Sequence, residues 1–256
     1  MRRKTAILVL LTLTMTFLFG FSVEQATGLN SVQWYVDNYN STYPAYSNYD
    51  LMAVNAYRAN FDGSQAQALV GRAMWYMQHG YMVYGSLGYA TNGTISCSSY
   101  VSLVFRDMGY SITSYASRYG SVGTRVSGVY SKLQTGSTSK YMLVGTQYLK
   151  PGDIFTFWNK RSDGTKYISH VAIYAGIING QPWIIHTIKG RPTAIGMSAS
   201  WTYWYGQHFW EARRVLPSSA QVPGSQGVLS KPVIPAKYVL PPQQPVMLPS
   251  ELPKGF

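Results

Sequence analysis

The chain of 256 residues contains a single cysteine, Cys97, so it cannot form an intramolecular disulfide. Charged residues make up only 12% of the sequence, and nine of them are acidic. No metal-ligand spacing, glycine-rich phosphate loop or internal repeat is present, which argues against a metal site, a nucleotide site and a solenoid. We therefore expect neither a metal nor a cofactor.

Long hydrophobic runs are also scarce. The one run of this kind lies at residues 6–21, directly after the basic residues 2–4. This arrangement is typical of a secretory signal peptide, which we predict over 1–22, with Ala26 as an alternative cleavage position. Retention as a membrane anchor is the other interpretation, although the run is short for a spanning helix. No lipobox cysteine follows, which excludes a lipoprotein. We expect a secreted protein of the bacterial cell wall or extracellular space, with no stable membrane partner beyond this segment.

The charge that is present is mostly positive. The net charge is +12, and it falls to +9 when the three basic residues of the signal segment are removed. On an exported protein this charge favours anionic cell-wall polymers as partners over nucleic acid. Composition divides the remainder into a Tyr-, Asn- and Ser-rich extension at 23–63, a domain at 64–216 and a proline-rich, extended tail at 217–256.

Within the predicted domain, helical patterns come first and strand patterns follow, which indicates an α+β fold. A helix is predicted over Gln65–His79, with Ser64 and Gln67 as a capping box and Gly80 as its end. A second helix begins at Cys97, and weaker patterns predict helices at 50–57 and 126–133. Strands are predicted at 153–158, 167–174, 183–188 and 209–216, with a hairpin turn at Asn179-Gly180.

Cys97 begins its helix among serines, the residue type that caps helix starts. In the first turn, free N–H groups and the helix dipole stabilise a thiolate, which favours a nucleophile. A solitary cysteine can equally be a small buried hydrophobic residue. The nucleophilic interpretation therefore requires a base within hydrogen-bond distance and a third group that orients the base.

Histidines can supply both groups. His170 lies within a predicted strand, where we expect it to share a face with Ile168, Ala172 and Tyr174, and His186 lies in the next strand. Two imidazoles in apolar strands are costly to bury without partners. They lack a third ligand for a metal.

The hairpin turn complicates this pairing. A strict two-residue turn at Asn179-Gly180 would pair His170 with Lys189 and turn His186 to the opposite face. The pairing of the histidines therefore requires a bulge or an odd-length loop, and Pro182, which cannot donate to the ladder, favours an irregularity. The other two histidines have simple structural interpretations: His79 at a helix C-terminus and His208 packed in an aromatic loop.

Taken together, these segments resemble the NlpC family of papain-like cell-wall cysteine peptidases. The matching stretches span roughly residues 65–216 and are Tyr84-Gly85, Ser96-Cys97-Ser98-Ser99, Leu149-Lys150-Pro151-Gly152-Asp153-Ile154, Ser169-His170-Val171-Ala172-Ile173-Tyr174 and Ile184-Ile185-His186. The resemblance implies a papain-like α+β core, with N-terminal helices and a nucleophile at a helix N-terminus packed on an antiparallel β-sheet. It also implies an insertion at 110–148, which we expect to form a groove wall or a lid.

The resemblance assigns roles to individual residues. Cys97 would be the nucleophile, His170 the general base and His186 the residue that orients the base. Tyr84, with Tyr81 as the alternative, would help the Cys97 N–H to shape the oxyanion site. Cys–His pairs lower the thiol pKa by several units, so we expect an ion pair that populates the thiolate near neutral pH.

The function implied is hydrolysis of the stem peptides of bacterial peptidoglycan, commonly between D-glutamate and a diamino acid. Two alternatives remain. The family usually carries Asp-Cys-Ser-Gly, so Ser96 and Ser99 favour an impaired member that binds the cell wall or a protein partner. The second is a papain-like amidase or acyltransferase that uses the same Cys–His pair.

Overall fold

The computed structural model describes residues 50–79, 82–85, 94–189, 194–199 and 203–226. The predicted signal segment, most of the N-terminal extension, Gly80, Tyr81 and the tail beyond residue 226 lie outside these ranges. Within the described residues, none of the helices combines the length and the apolar character needed to cross a membrane.

The described residues contain α-helices and short 3₁₀-helices. The α-helices are residues 50–59 (α1), Gln65–His79 (α2), Cys97–Asp107 (α3) and Tyr203–His208 (α4). Short 3₁₀-helices are Ala116–Ser121, Thr146–Tyr148 and Ser218–Gln221. Helix α1 confirms the pattern seen at 50–57, and the buried Asp50 carboxylate accepts a hydrogen bond from the Met197 N–H at 3.2 Å.

Helix α2 has the bounds predicted from its apolar spacing. The predicted apolar residues Ala66, Leu69, Val70, Ala73 and Met77 are all fully buried, and burial extends around the helix to residues such as Ala68, Met74 and Tyr76. Ser64 Oγ accepts the Gln67 N–H at 3.2 Å, so Ser64 caps the helix as expected. The reciprocal half of the capping box is wrong, because Gln67 Oε1 accepts the Asp62 N–H at 2.7 Å. The Ser64 N–H is already bonded to Asp62 Oδ1 at 2.8 Å.

The strands form a central sheet and two short pairs. They are Val83–Tyr84 (β1), Thr94–Ile95 (β2), Thr124–Arg125 (β3), Tyr130–Leu133 (β4), Tyr141–Val144 (β5), Ile154–Lys160 (β6), Lys166–Ile178 (β7), Gln181–Thr187 (β8), Ile195–Ser198 (β9) and Phe209–Arg214 (β10). A six-stranded antiparallel sheet has the order β3-β10-β6-β7-β8-β9. The two remaining pairs are β1 with β2, which is parallel, and β4 with β5. The α+β architecture with a central antiparallel sheet is therefore confirmed.

The predicted helix at 126–133 is wrong. Residues 130–133 form strand β4, which pairs in an antiparallel hairpin with β5. The apolar residues of this segment recur at helical spacing, but Val126 and Val129 face a core that the sheet and hairpin create together. The side chain of Ser131 in turn donates to the Gly206 carbonyl of α4 at 2.5 Å. Tertiary contacts decided the structure here, as they often do for short segments without strong propensity.

The sheet has a core on each face. Helices α1, α2 and α3 cover one face, where Val171, Ile173 and Ile185 are fully buried. The opposite face carries a smaller cluster that includes Phe157 and Ala172, with Trp204 and Tyr205 of α4 packed against it. Alternate residues of β7 therefore belong to different cores, as the two-residue period of a strand requires.

A bulge in β7 determines which residues of β7 and β8 share a face. The turn is a strict two-residue hairpin with positive φ at Asn179 (50°) and Gly180 (73°), as predicted. The Cα partners, from the turn outward, are Ile178–Gln181, Ile177–Pro182, Gly176–Trp183, Tyr174–Ile184 and Ile173–Ile185. Ala175 is the extra residue, so the expected bulge is confirmed, although it lies in β7 and not at Pro182. Continued by one residue, this register sets His186 opposite Ala172, on the face that carries His170.

A second bulge lies beside His170. Phe157 pairs with His170, whereas Trp158 pairs with Ile168, so Ser169 is the extra residue. The expectation that His170 and Ile168 share a face is wrong for this reason. Ile168 belongs to the helix-side core, while His170 contacts the ring of Phe157 on the other side of the sheet.

Candidate active site

Cys97 is the first residue of helix α3, as its serine-flanked position predicts. Ser96 is the N-cap, with extended backbone angles (φ −92°, ψ 167°), and its hydroxyl accepts the Ser99 N–H at 3.3 Å. The Ser96 hydroxyl also donates to Ser99 Oγ at 2.9 Å. Serine and aspartate are both strong N-cap residues, so Ser96 preserves the helix start that positions the cysteine.

The Cys97 thiol lies against the bulged backbone of β7. Its side chain is almost fully buried, and Sγ lies 3.9 Å from the Ser169 carbonyl, to which the thiol donates. Burial raises the pKa of Cys97, and hydrogen bonds from the N–H groups of Val171, Ser98 and Cys97 itself oppose this effect. The sulfur is thus held between the backbone groups on either side of His170.

His170 and His186 are in direct contact. His170 Nε2 lies 2.9 Å from His186 Nδ1, and the two rings meet edge to face. His186 is fully buried. The His170 side chain is partly exposed, but its ring packs against Trp204 and Tyr205 of α4, and loss of water lowers its pKa to about 4.

The two pKa shifts bear on the expected ion pair. Burial destabilises the thiolate of Cys97 and also the imidazolium of His170, because both charged forms lose hydration. Both directions favour a neutral thiol and a neutral imidazole in the resting protein. A neutral pair can still react, since the proton can move to the imidazole as the sulfur attacks.

Tyr84 is brought towards Cys97 by strand pairing. Strand β1 lies parallel to β2, and Tyr84 is the Cα partner of Ile95, two residues before Cys97. The side chain is 44% exposed. Partial burial raises the pKa of the Tyr84 hydroxyl, and the charge of the Cys97 thiolate adds to the increase, which places the two groups within electrostatic range. Tyr81, the alternative, lies outside the described residues.

Two further residues contact this group without having been predicted from the sequence. Ser198 of β9 places its hydroxyl 3.0 Å from His186 Nε2. Tyr119, in the 3₁₀-helix Ala116–Ser121, donates to the Ser98 carbonyl at 3.1 Å. Neither residue stands in a recognisable motif, since serine and tyrosine are common throughout this sequence.

Tyr119 shows what one part of the 110–148 insertion does. Its side chain is fully buried, and its pKa is raised by burial and then by the charge of the Cys97 thiolate. Ser98 Oγ also donates to the Ser114 carbonyl at 2.6 Å. This part of the insertion therefore stabilises the first turn of α3, which contains Cys97.

The two remaining histidines both lie in helices. His208 packs between the rings of Trp158 and Trp204, which confirms its structural interpretation. His79 is the last residue of α2. Across the described residues there is no group of three or more His, Cys, Asp or Glu side chains arranged to hold a metal ion.

Comparison with known proteins identifies related sequences. The model of the NlpC/P60 family matches residues 81–214, more than half of the chain. Two solved structures are similar to this chain. One is an NlpC/P60 family protein from Bacillus cereus ATCC 10987, with 21% identity over 59% of this chain and a TM-score of 0.40. The other is an NLP/P60 family protein similar to a lipoprotein from Staphylococcus aureus subsp. aureus Mu50, with 22% identity over 62% of this chain and a TM-score of 0.37. The matched regions cover 40% and 43% of those chains. A search of curated proteins finds no significant match.

Proposed function

The chain belongs to the NlpC/P60 family, whose members are generally cell-wall cysteine peptidases, and we propose that it is itself a secreted peptidoglycan endopeptidase. The substrate would be the peptide stem, cut between D-glutamate and the diamino acid. The single observation that carries this proposal is that Cys97, at a helix start, lies against the backbone directly before His170, which is hydrogen-bonded to His186.

Each side chain would have a separate role. Because His170 Nε2 is bonded to His186, Nδ1 is the ring nitrogen left to take the Cys97 proton. The sulfur attacks the carbonyl carbon as that proton moves, and a tetrahedral oxyanion forms. The Cys97 N–H and the Tyr84 hydroxyl would donate to this oxyanion, and loss of one such donor typically costs about 3 kcal/mol of transition-state stabilisation.

The intermediate then collapses in two stages. The C–N bond breaks, and the leaving amine takes the proton held by His170, so that a thioester with Cys97 remains. Water next gives a proton back to His170 and attacks the thioester, which releases the carboxylic acid and restores the thiol. His186 keeps the His170 ring in one plane and one tautomer throughout both stages.

Two alternatives use the same residues. Ser99 replaces the glycine that the family usually has, which favours an impaired member that binds the cell wall or a protein partner. A papain-like amidase or acyltransferase would share the Cys–His pair but act on a different bond. The N-cap hydrogen bond of Ser96 argues against a distorted nucleophile and therefore favours an active enzyme.

The proposal includes the arrangement of the whole chain. The signal segment at 1–22 would direct export, and the domain at 64–216 would carry the activity. Of the proline-rich tail at 217–256, residues 218–221 pack against the domain with Ala220 in its core, so the part beyond residue 226 would span the cell wall. Stem peptides would be the principal partner, and anionic wall polymers a second one.

Digestion of purified peptidoglycan tests the function. The mature protein and its Cys97→Ala variant are incubated with the same preparation, and released fragments are analysed by mass spectrometry. New peptide termini from the wild type alone would identify a hydrolase and the bond that it cuts. The absence of products from both proteins, with folding and wall binding intact, would favour the impaired, binding member of the family.

A further inference from the structure

Ser198 extends the histidine pair by one hydrogen bond. His186 Nδ1 faces His170 and His186 Nε2 faces the Ser198 hydroxyl at 3.0 Å, so both ring nitrogens are engaged along one line. Ser198 lies on β9, where it is the Cα partner of Ile184, two residues from His186 along β8. The pleat sets both side chains on the same face of the sheet.

The direction of the protons along this line matters for the chemistry. A neutral imidazole carries one N–H, so one of its nitrogens donates and the other accepts. To take the thiol proton at Nδ1, His170 must carry its own proton at Nε2. His186 Nδ1 must then accept that proton's hydrogen bond, which places the proton of His186 on Nε2, and Ser198 Oγ must accept it.

The reversed direction would block the reaction. If Ser198 donated to His186 Nε2, His186 would carry its proton at Nδ1 and donate to His170 Nε2. His170 would then be protonated at Nδ1 and could not accept the thiol proton. A cationic His170 would also direct its Nε2–H at the N–H of His186, which costs energy because two donors meet.

We propose that Ser198 is a positioning residue that accepts a hydrogen bond from His186 Nε2 and thereby holds both histidines in the tautomer needed for proton transfer from Cys97. This inference rests on the proposed function, because it assumes that His170 serves as the base. In this proposal Ser198 acts through its hydrogen bond to His186 and takes no part in the bond changes itself.

Nitrogen-15 NMR of the histidine rings at pH 7 tests the tautomers without requiring any hydrolysis. We expect His170 and His186 to carry the proton at Nε2 in the wild type, with His170→Gln and His186→Gln used to assign the signals. Ser198→Ala should move the His186 signals towards a mixture of tautomers, and Ser198→Thr, which keeps the hydroxyl, should restore the wild-type pattern. Ser102→Ala is the matched control, since it removes a serine hydrogen bond of 3.1 Å to the Ile112 carbonyl away from the histidines.

Kinetics on peptidoglycan fragments provides the second measurement. In Ser198→Ala we expect kcat to fall about tenfold or more with KM within about twofold, because the change affects proton transfer and not substrate binding. Wild-type tautomers in Ser198→Ala, or a wild-type His186 protonated at Nδ1, would overturn the proposal. If the wild type shows the expected tautomers and Ser198→Ala alters them, but no fragment is hydrolysed, the positioning role stands and the proposed peptidase activity fails.

Discussion

At the scale of single residues, the proposed chemistry depends on Cys97 and His170, which both lose water on folding. Burial raises the pKa of Cys97 and lowers that of His170 to about 4. Each shift disfavours the charged form, so the resting site stores its proton on sulfur and keeps the imidazole free to accept it. These charge states suit the proposed general-base mechanism, in which charge develops only as the substrate reacts.

The state of the thiol can be read from its alkylation by iodoacetamide as a function of pH. Only the thiolate reacts with iodoacetamide. Because burial raises the pKa of Cys97 above the ordinary thiol value of 9, we expect the rate to rise mainly above pH 9. The same protein unfolded in urea is the control, and its midpoint should lie lower because the buried environment is lost. A large, pH-independent rate between about pH 5 and pH 8 would instead establish a preformed ion pair.

The lowered pKa of His170 links folding to pH. Between its ordinary value of 6.5 and the folded value of about 4, the unfolded chain binds a proton that the folded protein does not. Stability is therefore highest above pH 6.5 and falls as the pH falls through this window, by up to about 3 kcal/mol. Urea denaturation at several pH values between 7 and 4 measures the free energy of unfolding.

Two variants isolate this contribution. His170→Gln should lose the part of the pH dependence that lies between pH 6.5 and about 4, because glutamine does not titrate. His208→Gln removes an imidazole that packs against Trp158 and Trp204 outside the catalytic group and should keep the wild-type slope. Parallel curves for the wild type and His170→Gln would contradict the link.

At the scale of elements, one largely buried ion pair joins the neighbouring strands β6 and β10. Asp153 directly precedes β6, and Arg214 ends β10. Arg214 Nε and Nη2 bind the two carboxylate oxygens of Asp153 at 2.7 Å each, and the Lys150 N–H donates to Oδ2 at 2.8 Å. Burial raises the pKa of Asp153, while the hydrogen bonds from Arg214 and Lys150 partly counter that effect.

Removal of the Asp153 charge should therefore be costly. We expect Asp153→Asn to lower the free energy of unfolding by about 3 kcal/mol, because Arg214 would keep a largely buried charge without its partner. Arg125→Gln is the matched control, since Arg125 is 65% exposed and lies 3.4 Å from Glu211 in the same sheet. That change should cost at most about 1 kcal/mol. Equal losses in urea denaturation would show that the Asp153 pair has no special role.

Bulges are the second feature at this scale, because they set which side chains meet. One extra residue, Ala175, turns His186 to the face of His170, and another, Ser169, separates His170 from Ile168. The Ser169 carbonyl also accepts the hydrogen bond of the Cys97 thiol. Two local irregularities thus determine where the proposed catalytic residues lie, because a regular hairpin would have turned His186 to the face opposite His170.

At the scale of the whole molecule, the excess of basic residues bears on the proposed binding of the protein to the cell wall. The net charge of +12, or +9 without the signal segment, favours a negatively charged wall. Because exposed charges are screened by salt, we expect binding to isolated cell walls to weaken as NaCl is raised from about 0.05 to 0.5 M. Co-sedimentation of the Cys97→Ala variant measures binding without cleavage.

An uncharged solute separates charge from other effects in this experiment. Sucrose at the same osmolality as the salt should leave the bound fraction unchanged, since it does not screen charge. Binding that is insensitive to NaCl would contradict an electrostatic origin and would indicate specific recognition of the sugar or the peptide.

The sequence by itself determined the features that depend on local patterns. Apolar spacing located α2, serines located the start of α3 at Cys97, and Asn179-Gly180 located a two-residue turn. The family could also be identified from short motifs, because their order along the chain is specific even where each motif is weak. These features follow from backbone geometry within about one turn or one hairpin.

Only the tertiary structure decided the rest. Residues 130–133 form a strand because they pair with β5, next to the core that contains Val129 and Leu143. Ser198 and Tyr119 reach the site through strand pairing and packing over long sequence separations, which no local pattern records. The pKa directions of Cys97 and His170 likewise depend on burial by distant segments, so charge state is a property of the folded molecule and not of the motif.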